Sequence, residues 1–177
     1  HLLSKQKFIA AQIIKWIEND RWLQAANEAN NKTREIITIL KKNKKINITH
    51  KDMSRFWISI HDAVYFVISC CKSMIGGEIF VPKIPSVKIV DLARAMAPNI
   101  KHKIIGIRPG EKIHEIMCPK DDNHLTYEFK KYFVITPSIK FTKLSNNFSK
   151  NKKGEVGKKV VKNFEYNSGT NNKFLNT

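Results

Sequence analysis

The chain has 177 residues, with 32 Lys+Arg against 15 Asp+Glu and a formal net charge of +17. That length supports a hydrophobic core without disulfide staples, and 42% hydrophobic with 10% aromatic residues is a globular composition, not a disordered one. The three cysteines are Cys70, Cys71 and Cys118. An odd number with two adjacent argues against a secreted disulfide framework and for a reducing compartment. No stretch approaches the ~18–20 apolar residues of a spanning helix, and nothing at the N-terminus reads as a signal peptide, so no membrane span and a cytoplasmic location are expected. Five basic residues are arginine and 27 are lysine, spread along the whole chain. A nucleic-acid footprint clusters on one face and favours arginine, so no specific nucleic-acid partner is expected.

Apolar residues from 4 to 29 fall at helical spacing, among them Phe8, Ile13, Trp16, Ile17, Trp22 and Leu23, with no Pro or Gly between them. Thr33 is placed to cap a second helix through Ile36, Ile37 and Leu40, ending in the basic run 41–45. Residues 46–49 read as a strand, and Phe56 to Ile60 as an apolar strand with Arg55 just before it. Asp62 opens an apolar helix over 63–73, stopped by Gly76 and Gly77; its Cys70 and Cys71 read as core thiols. Ile79, Phe80 and Val81 read as a buried strand, 82–85 as a rigid Pro-bounded loop, and Ser86 as the cap of a helix over 87–97. Residues 103–107 read as a strand, 113–117 as one or two helical turns, and 132–135 as a strand before Pro137. From 143 onward polar residues dominate and the tail reads as irregular. Helices and strands alternate, which is the pattern of an α/β fold. The division expected is a helical segment at 1–34, an α/β region at 35–142 and a polar tail at 143–177.

One segment carries chemistry: Gly106-Ile-Arg-Pro-Gly-Glu-Lys-Ile-His-Glu115. An arginine before Pro-Gly projects a guanidinium from a rigid turn. Guanidinium pairs with phosphate, and a carboxylate three residues on can accept vicinal ribose hydroxyls. By itself it reads first as a tight turn with a surface ion pair, and only the accompanying segments favour the site. Arg55, flanked by Phe56 and Trp57, is a second phosphate ligand or a capping arginine. Tyr127 and Lys131 reproduce a Tyr-x-x-x-Lys spacing, but outside any cofactor-binding context. His114, Cys118 and His124 have ligand chemistry without the tight second spacing of a zinc site, so no metal is expected.

Several blocks appear together in order: residues 53–60, 76–86, 104–115, 119–126, 134–138 and 163–166. On these the chain resembles the C-terminal part of the inverting UDP-N-acetylglucosamine 4,6-dehydratases, in the CapD-like polysaccharide-biosynthesis group of extended short-chain dehydrogenases/reductases. The resemblance runs from about residue 35 to residue 175. It implies that Arg55 and Arg108 engage the UDP diphosphate and Glu111 the ribose, while Pro82 and Lys83 line the nucleotide pocket. It also implies that the family's NADP, Gly-rich fingerprint, acid/base group and Tyr-x-x-x-Lys pair belong to an N-terminal Rossmann half that these 177 residues lack. Gly106 and Gly110, or Gly154 and Gly157, do not reproduce Gly-x-Gly-x-x-Gly. Beginning at His1 and not Met is consistent with a fragment, a processed chain or a truncated gene. The expectation is a substrate-binding portion that takes a UDP-sugar, is inactive and binds no NADP alone, and works with a missing Rossmann half or as a homo-oligomer. The alternatives are a noncatalytic UDP-sugar-binding or interaction module, and a nonfunctional remnant.

Overall fold

The structure, a computed structural model, describes residue 15 and residues 18–43, 45–139 and 147–175. It divides into two units, His1–Ile46 with Asn99–Lys101, and Asn47–Pro98 with His102–Thr177. The helical pattern over residues 1–14 lies outside the described residues.

In the first unit, Asp20 takes a positive φ of 53°. Its carbonyl accepts from the N–H groups of Leu23 and Gln24 at 2.9 and 3.1 Å. This turn separates residue 18 from a single helix, α1 (Arg21–Asn43). Two helices broken at Thr33 were expected. Thr33 lies instead inside α1, with its hydroxyl donating to the Ala29 carbonyl at 2.9 Å. No Pro or Gly lies between residues 21 and 43 to stop the helix, and a threonine back-bonded to the previous turn is tolerated there. Leu23, Ile36 and Ile39 are exposed.

In the second unit, strand β2 (Ser54–Phe56) pairs antiparallel with β4 (Ser86–Lys88), so that Arg55 faces Val87. Arg55 therefore lies within the strand, not ahead of it. Helix α2 (Ile60–Ser73) is capped by Ser59, three residues before the expected opening at Asp62. The Ser59 hydroxyl accepts from the Asp62 N–H at 3.1 Å and donates to its carboxylate at 2.6 Å, a reciprocal cap. Only Ser73 of α2 is buried; Ile60, Tyr65, Val67 and Cys71 are exposed, which corrects the core assignment of Cys71.

β1 spans Lys45–Ile48 and β5 Lys101–Ile104, and the Ile105 N–H donates to the Ile48 carbonyl at 2.9 Å. Ser86 does not cap a helix. It lies in β4, fully buried, and α3 (Ile89–Met96) starts after Lys88 without a side-chain cap.

The centre is a four-stranded antiparallel sheet in the order β3 (Ile79–Pro82), β8 (Tyr132–Ile135), β7 (Thr126–Glu128), β9 (Lys158–Lys159). β8 is buried along its whole length because both faces are covered. Phe133 and Ile135 point into a cluster with Val81, Cys118 and Tyr166; Tyr132 and Val134 join Phe129 on the other face. Such a strand reads as continuously apolar, as this one does. Ile79, at the start of β3, is exposed, so the strand expected to be buried is buried only towards Val81.

Residues 113–117 are not helical. β6 (Ile116–Cys118) pairs antiparallel with β10 (Tyr166–Asn167). The polar tail thus supplies β9 and β10, and its Asn151, Tyr166 and Ser168 are buried. Near the end, Lys173 O accepts from Ser86 N–H and Leu175 N–H donates to Ser86 O, both at 2.8 Å.

Candidate functional site

Two groups of side chains stand out, joined through β2. The first surrounds the turn at residues 108–111. Pro109 and Gly110, the latter at φ +79°, occupy its middle, and Glu111 N–H donates to the Arg108 carbonyl at 3.0 Å. That sequence and glycine conformation suit a type II turn. Glu111 bends back on it: its carboxylate accepts from the Arg108 N–H at 3.2 Å and from the Thr49 hydroxyl at 3.3 Å. The turn is thus rigid, and Arg108 stands exposed at its start.

Arg55 is brought to the same loop. Its guanidinium donates to the carbonyls of Ser54 at 2.7 Å, Ile113 at 3.1 Å and Lys112 at 3.0 Å. Its Nε lies 3.7 Å from the Glu115 carboxylate, whose other oxygen accepts from the Phe56 N–H at 2.8 Å. Both N–H bonds of one terminal nitrogen and one of the other are committed, which leaves a single terminal N–H for a ligand. Arg55 is therefore a clamp on the loop that carries Arg108 and Glu111.

Beneath the clamp runs a polar network that sequence reasoning missed. The Ser54 hydroxyl lies 2.8 Å from both His114 Nδ1 and the Ser168 hydroxyl. Ser168 Oγ also donates to the Ser54 carbonyl at 3.1 Å and accepts from the Glu115 N–H at 2.9 Å. The direction of the bond between Ser54 and His114 follows the histidine tautomer, and either hydroxyl of the Ser54–Ser168 pair can donate. Ser168 lies two residues beyond a matched block, and small polar residues in a polar tail carry no periodic signal. Of the ligand-type residues considered for a metal, His114 is committed here, His124 Nδ1 lies 2.9 Å from the Asp121 carbonyl, and Cys118 is buried. Among the described residues no group of three or more His, Cys, Asp or Glu is placed to hold a metal.

The second group lines a cleft of about 1200 Å³. Pro82 and Lys83 lie here, with Trp57, Lys131, Glu128 and Asn171. Arg55, Arg108 and Glu111 do not line it, so the five sequence-derived residues fall into two neighbourhoods. Trp57 connects them: it follows β2 directly, and its N–H donates to the Pro85 carbonyl at 2.8 Å. Pro82 belongs to β3, opposite Tyr132, so the loop expected at 82–85 starts one residue later. The Tyr166 hydroxyl accepts from Ile84 N–H at 3.0 Å and donates to Ile84 O at 2.9 Å, while Asn171 donates to Ile84 O at 2.8 Å. The tail thus holds the cleft's loop in place.

Lys83 Nζ lies 2.6 Å from Glu128 and 4.8 Å from the Phe133 ring centroid. The cleft's other lysines, Lys130, Lys131, Lys153 and Lys173, have no ion pair among the described residues. Its remaining carboxylates are engaged locally, Asp62 with Ser59, Glu155 with Asn151 and Glu165 with Asn167. A concave wall with surplus ammonium groups and an exposed indole suits an anionic ligand that carries a flat ring. Tyr127 lies under the Lys159 ammonium, whose Nζ is 5.4 Å from the ring centroid.

Burial, reinforced by Asp122, pushes the Cys118 thiol up to about 12; burial, then Cys71 and Glu78, does the same for Cys70. Burial also raises Tyr132 and Tyr166. A raised acid holds its proton more tightly folded than unfolded, so its contribution is complete below the ordinary thiol value and is lost as pH rises towards about 12. Urea midpoints should therefore fall between about pH 8 and about pH 11, and less steeply in Cys118→Ala. A midpoint that does not fall over that range would contradict the assignment.

Residues 36–137 match the family model described as polysaccharide biosynthesis protein, and the chain belongs to that family. It is 59% identical over 128 residues to a UDP-N-acetylglucosamine 4,6-dehydratase (inverting) of Campylobacter jejuni subsp. jejuni serotype O:2, covering 72% of this chain and 38% of that protein. The protein of the same description from serotype O:23/36 is 56% identical over 133 residues, covering 75% of this chain and 40% of the relative. Among solved structures, the X-ray structure of Pen from Bacillus thuringiensis superposes with a TM-score of 0.57 at 29% identity, over 78% of this chain and 41% of that one. The chain spans about two fifths of the length of the curated relatives it matches. Among the described residues no helix is long and apolar enough to cross a membrane.

Proposed function

We propose that this chain is the substrate-binding portion of a nucleotide-sugar 4,6-dehydratase. The whole enzyme converts UDP-N-acetylglucosamine to a 4-keto-6-deoxy sugar nucleotide, for surface polysaccharide or flagellar glycan biosynthesis in the cytoplasm. The observation that carries this reading is the 59% identity across 128 residues to such an enzyme. The geometry supports it: the rigid turn presents Arg108 outward, and a separate cleft carries surplus lysines and Trp57.

In this reading Arg108 pairs with the diphosphate, Glu111 gives up its contact with Thr49 to accept ribose hydroxyls, and Arg55 holds the loop while its remaining N–H faces the phosphates. The NADP and the acid/base groups come from a Rossmann segment of the extended short-chain dehydrogenase/reductase type. That segment would cover the exposed apolar side chains of α2, since a helix this apolar is normally buried. NADP supplies hydride removal and return when bound.

Calorimetry on the 177-residue chain should register UDP, and Arg108→Ala should weaken binding by about 1.5–3 kcal/mol through loss of a charge-assisted pair. No heat with UDP would overturn the reading. Mixed with UDP-N-acetylglucosamine and NADP, the chain alone should yield no 4-keto sugar, because no Gly-x-Gly-x-x-Gly occurs in it. That same observation favours a second reading, a UDP-sugar-binding module without catalysis. Co-expression with the N-terminal half of a relative separates the two: turnover supports the dehydratase, and UDP binding without turnover supports the module.

A further inference from the structure

Most carboxylates of the cleft are spent on neutral partners, and one is not. Glu128, at the end of β7, pairs with Lys83 at 2.6 Å. The two ends of this pair differ. The lysine side chain is 23% exposed and its ammonium lies over the Phe133 ring, whereas the Glu128 side chain is 50% exposed. The backbone of Lys83 is also tied down, its N–H donating to the Lys131 carbonyl at 3.0 Å. The cation is therefore fixed and its counter-ion is the movable member. Among the described residues Glu128 has no other ion pair or side-chain hydrogen bond to hold it there.

We propose that Glu128 is a resident counter-ion that sets the charge a ligand needs to occupy the cleft. It holds the site of an incoming phosphate on Lys83 and is displaced when a multiply charged anion enters. This rests on the proposed UDP-binding reading, and on the cleft, lined by Lys83 and not by Arg108, as a place for an anionic group of that ligand. A half-exposed ion pair is worth only a few-fold in an equilibrium constant, so displacement is within reach of a multiply charged anion in a cleft that four further lysines line. A neutral sugar or a nucleoside without phosphate does not compensate for the carboxylate it turns out, and is disfavoured by that same few-fold factor. Glu128 is thus a specificity-determining residue and not a ligand.

The test is calorimetry of UDP binding to the 177-residue chain at fixed ionic strength, comparing the unmutated chain, Glu128→Gln, Lys83→Gln and the double variant. Glutamine keeps the size of the side chain and removes the charge, so the strand pairing of β7 is preserved. Glu128→Gln should bind UDP about two- to fivefold tighter. In the Lys83→Gln background the same change should bring no gain, because the competition runs through that ammonium. An equal gain in both backgrounds would reduce Glu128 to a general charge effect and overturn the proposal. Weaker binding by Glu128→Gln would do so too, by making the carboxylate a support for Lys83. If neither the unmutated chain nor Glu128→Gln binds UDP, the UDP-binding reading falls and the proposal with it. Binding by the unmutated chain with no change in Glu128→Gln overturns the proposal alone.

Discussion

Replacing Arg55 with alanine should destabilise the chain by about 2–4 kcal/mol and abolish measurable UDP binding. The guanidinium serves the carbonyls of Ser54, Lys112 and Ile113 at 2.7–3.1 Å. Charge-assisted hydrogen bonds contribute about 1.5–3 kcal/mol each where buried, and partial exposure of this side chain lowers the sum. Lysine should recover less than half, since one ammonium cannot reproduce a planar fork that reaches three carbonyls. Urea denaturation gives the stability and calorimetry the binding. A variant of unchanged stability that still loses UDP would make Arg55 a direct ligand and not a clamp.

Gly157→Ala should cost about 2–3 kcal/mol. A Cβ at this position would stand 2.5–2.8 Å from three ring carbons of Phe129, closer than real atoms approach. The ring cannot simply step aside. Phe129 is 3% exposed and is stacked on Tyr132 with centroids 5.0 Å apart. Overpacking of this kind typically costs about 1–3 kcal/mol. Trimming the ring by Phe129→Leu in the same chain should return part of the loss, which chemical denaturation of the single and double variants would read. If the two changes simply add, the steric account is wrong.

The elements legible in the sequence were those whose signal is local. The apolar run at 132–135 became the central strand β8, and the Pro109-Gly110 pair became the turn under Arg108. The helix ahead of Gly76 and Gly77 was visible too, although its start moved from Asp62 to Ser59 because both residues share one cap. Elsewhere two local readings were available and a distant partner chose between them. Residues 113–117 have a helical pattern, yet 116–118 is a strand because Tyr166 and Asn167 pair with it. Ser86 has the chemistry of a helix cap, but Phe56 across the ladder and Lys173 beside it place it in a strand.

The candidate site divides the same way. Arg108 and Glu111 could be read from four consecutive residues, since a turn needs nothing beyond itself. The clamp role of Arg55 could not, because two of its three carbonyl acceptors lie 57 and 58 residues along the chain. Nor could the ion pair of Lys83 with Glu128, which are 45 apart, or the seating of Ser54 against Ser168, which are 114 apart. By itself, then, the sequence determined the family, the mixture of helices and strands, and the chemical types available to a site. Only the tertiary structure decided which of them meet. Composition and short spacing report the intrinsic preference of a segment, while strand pairing and buried polar contacts between distant residues depend on burial that no single segment encodes.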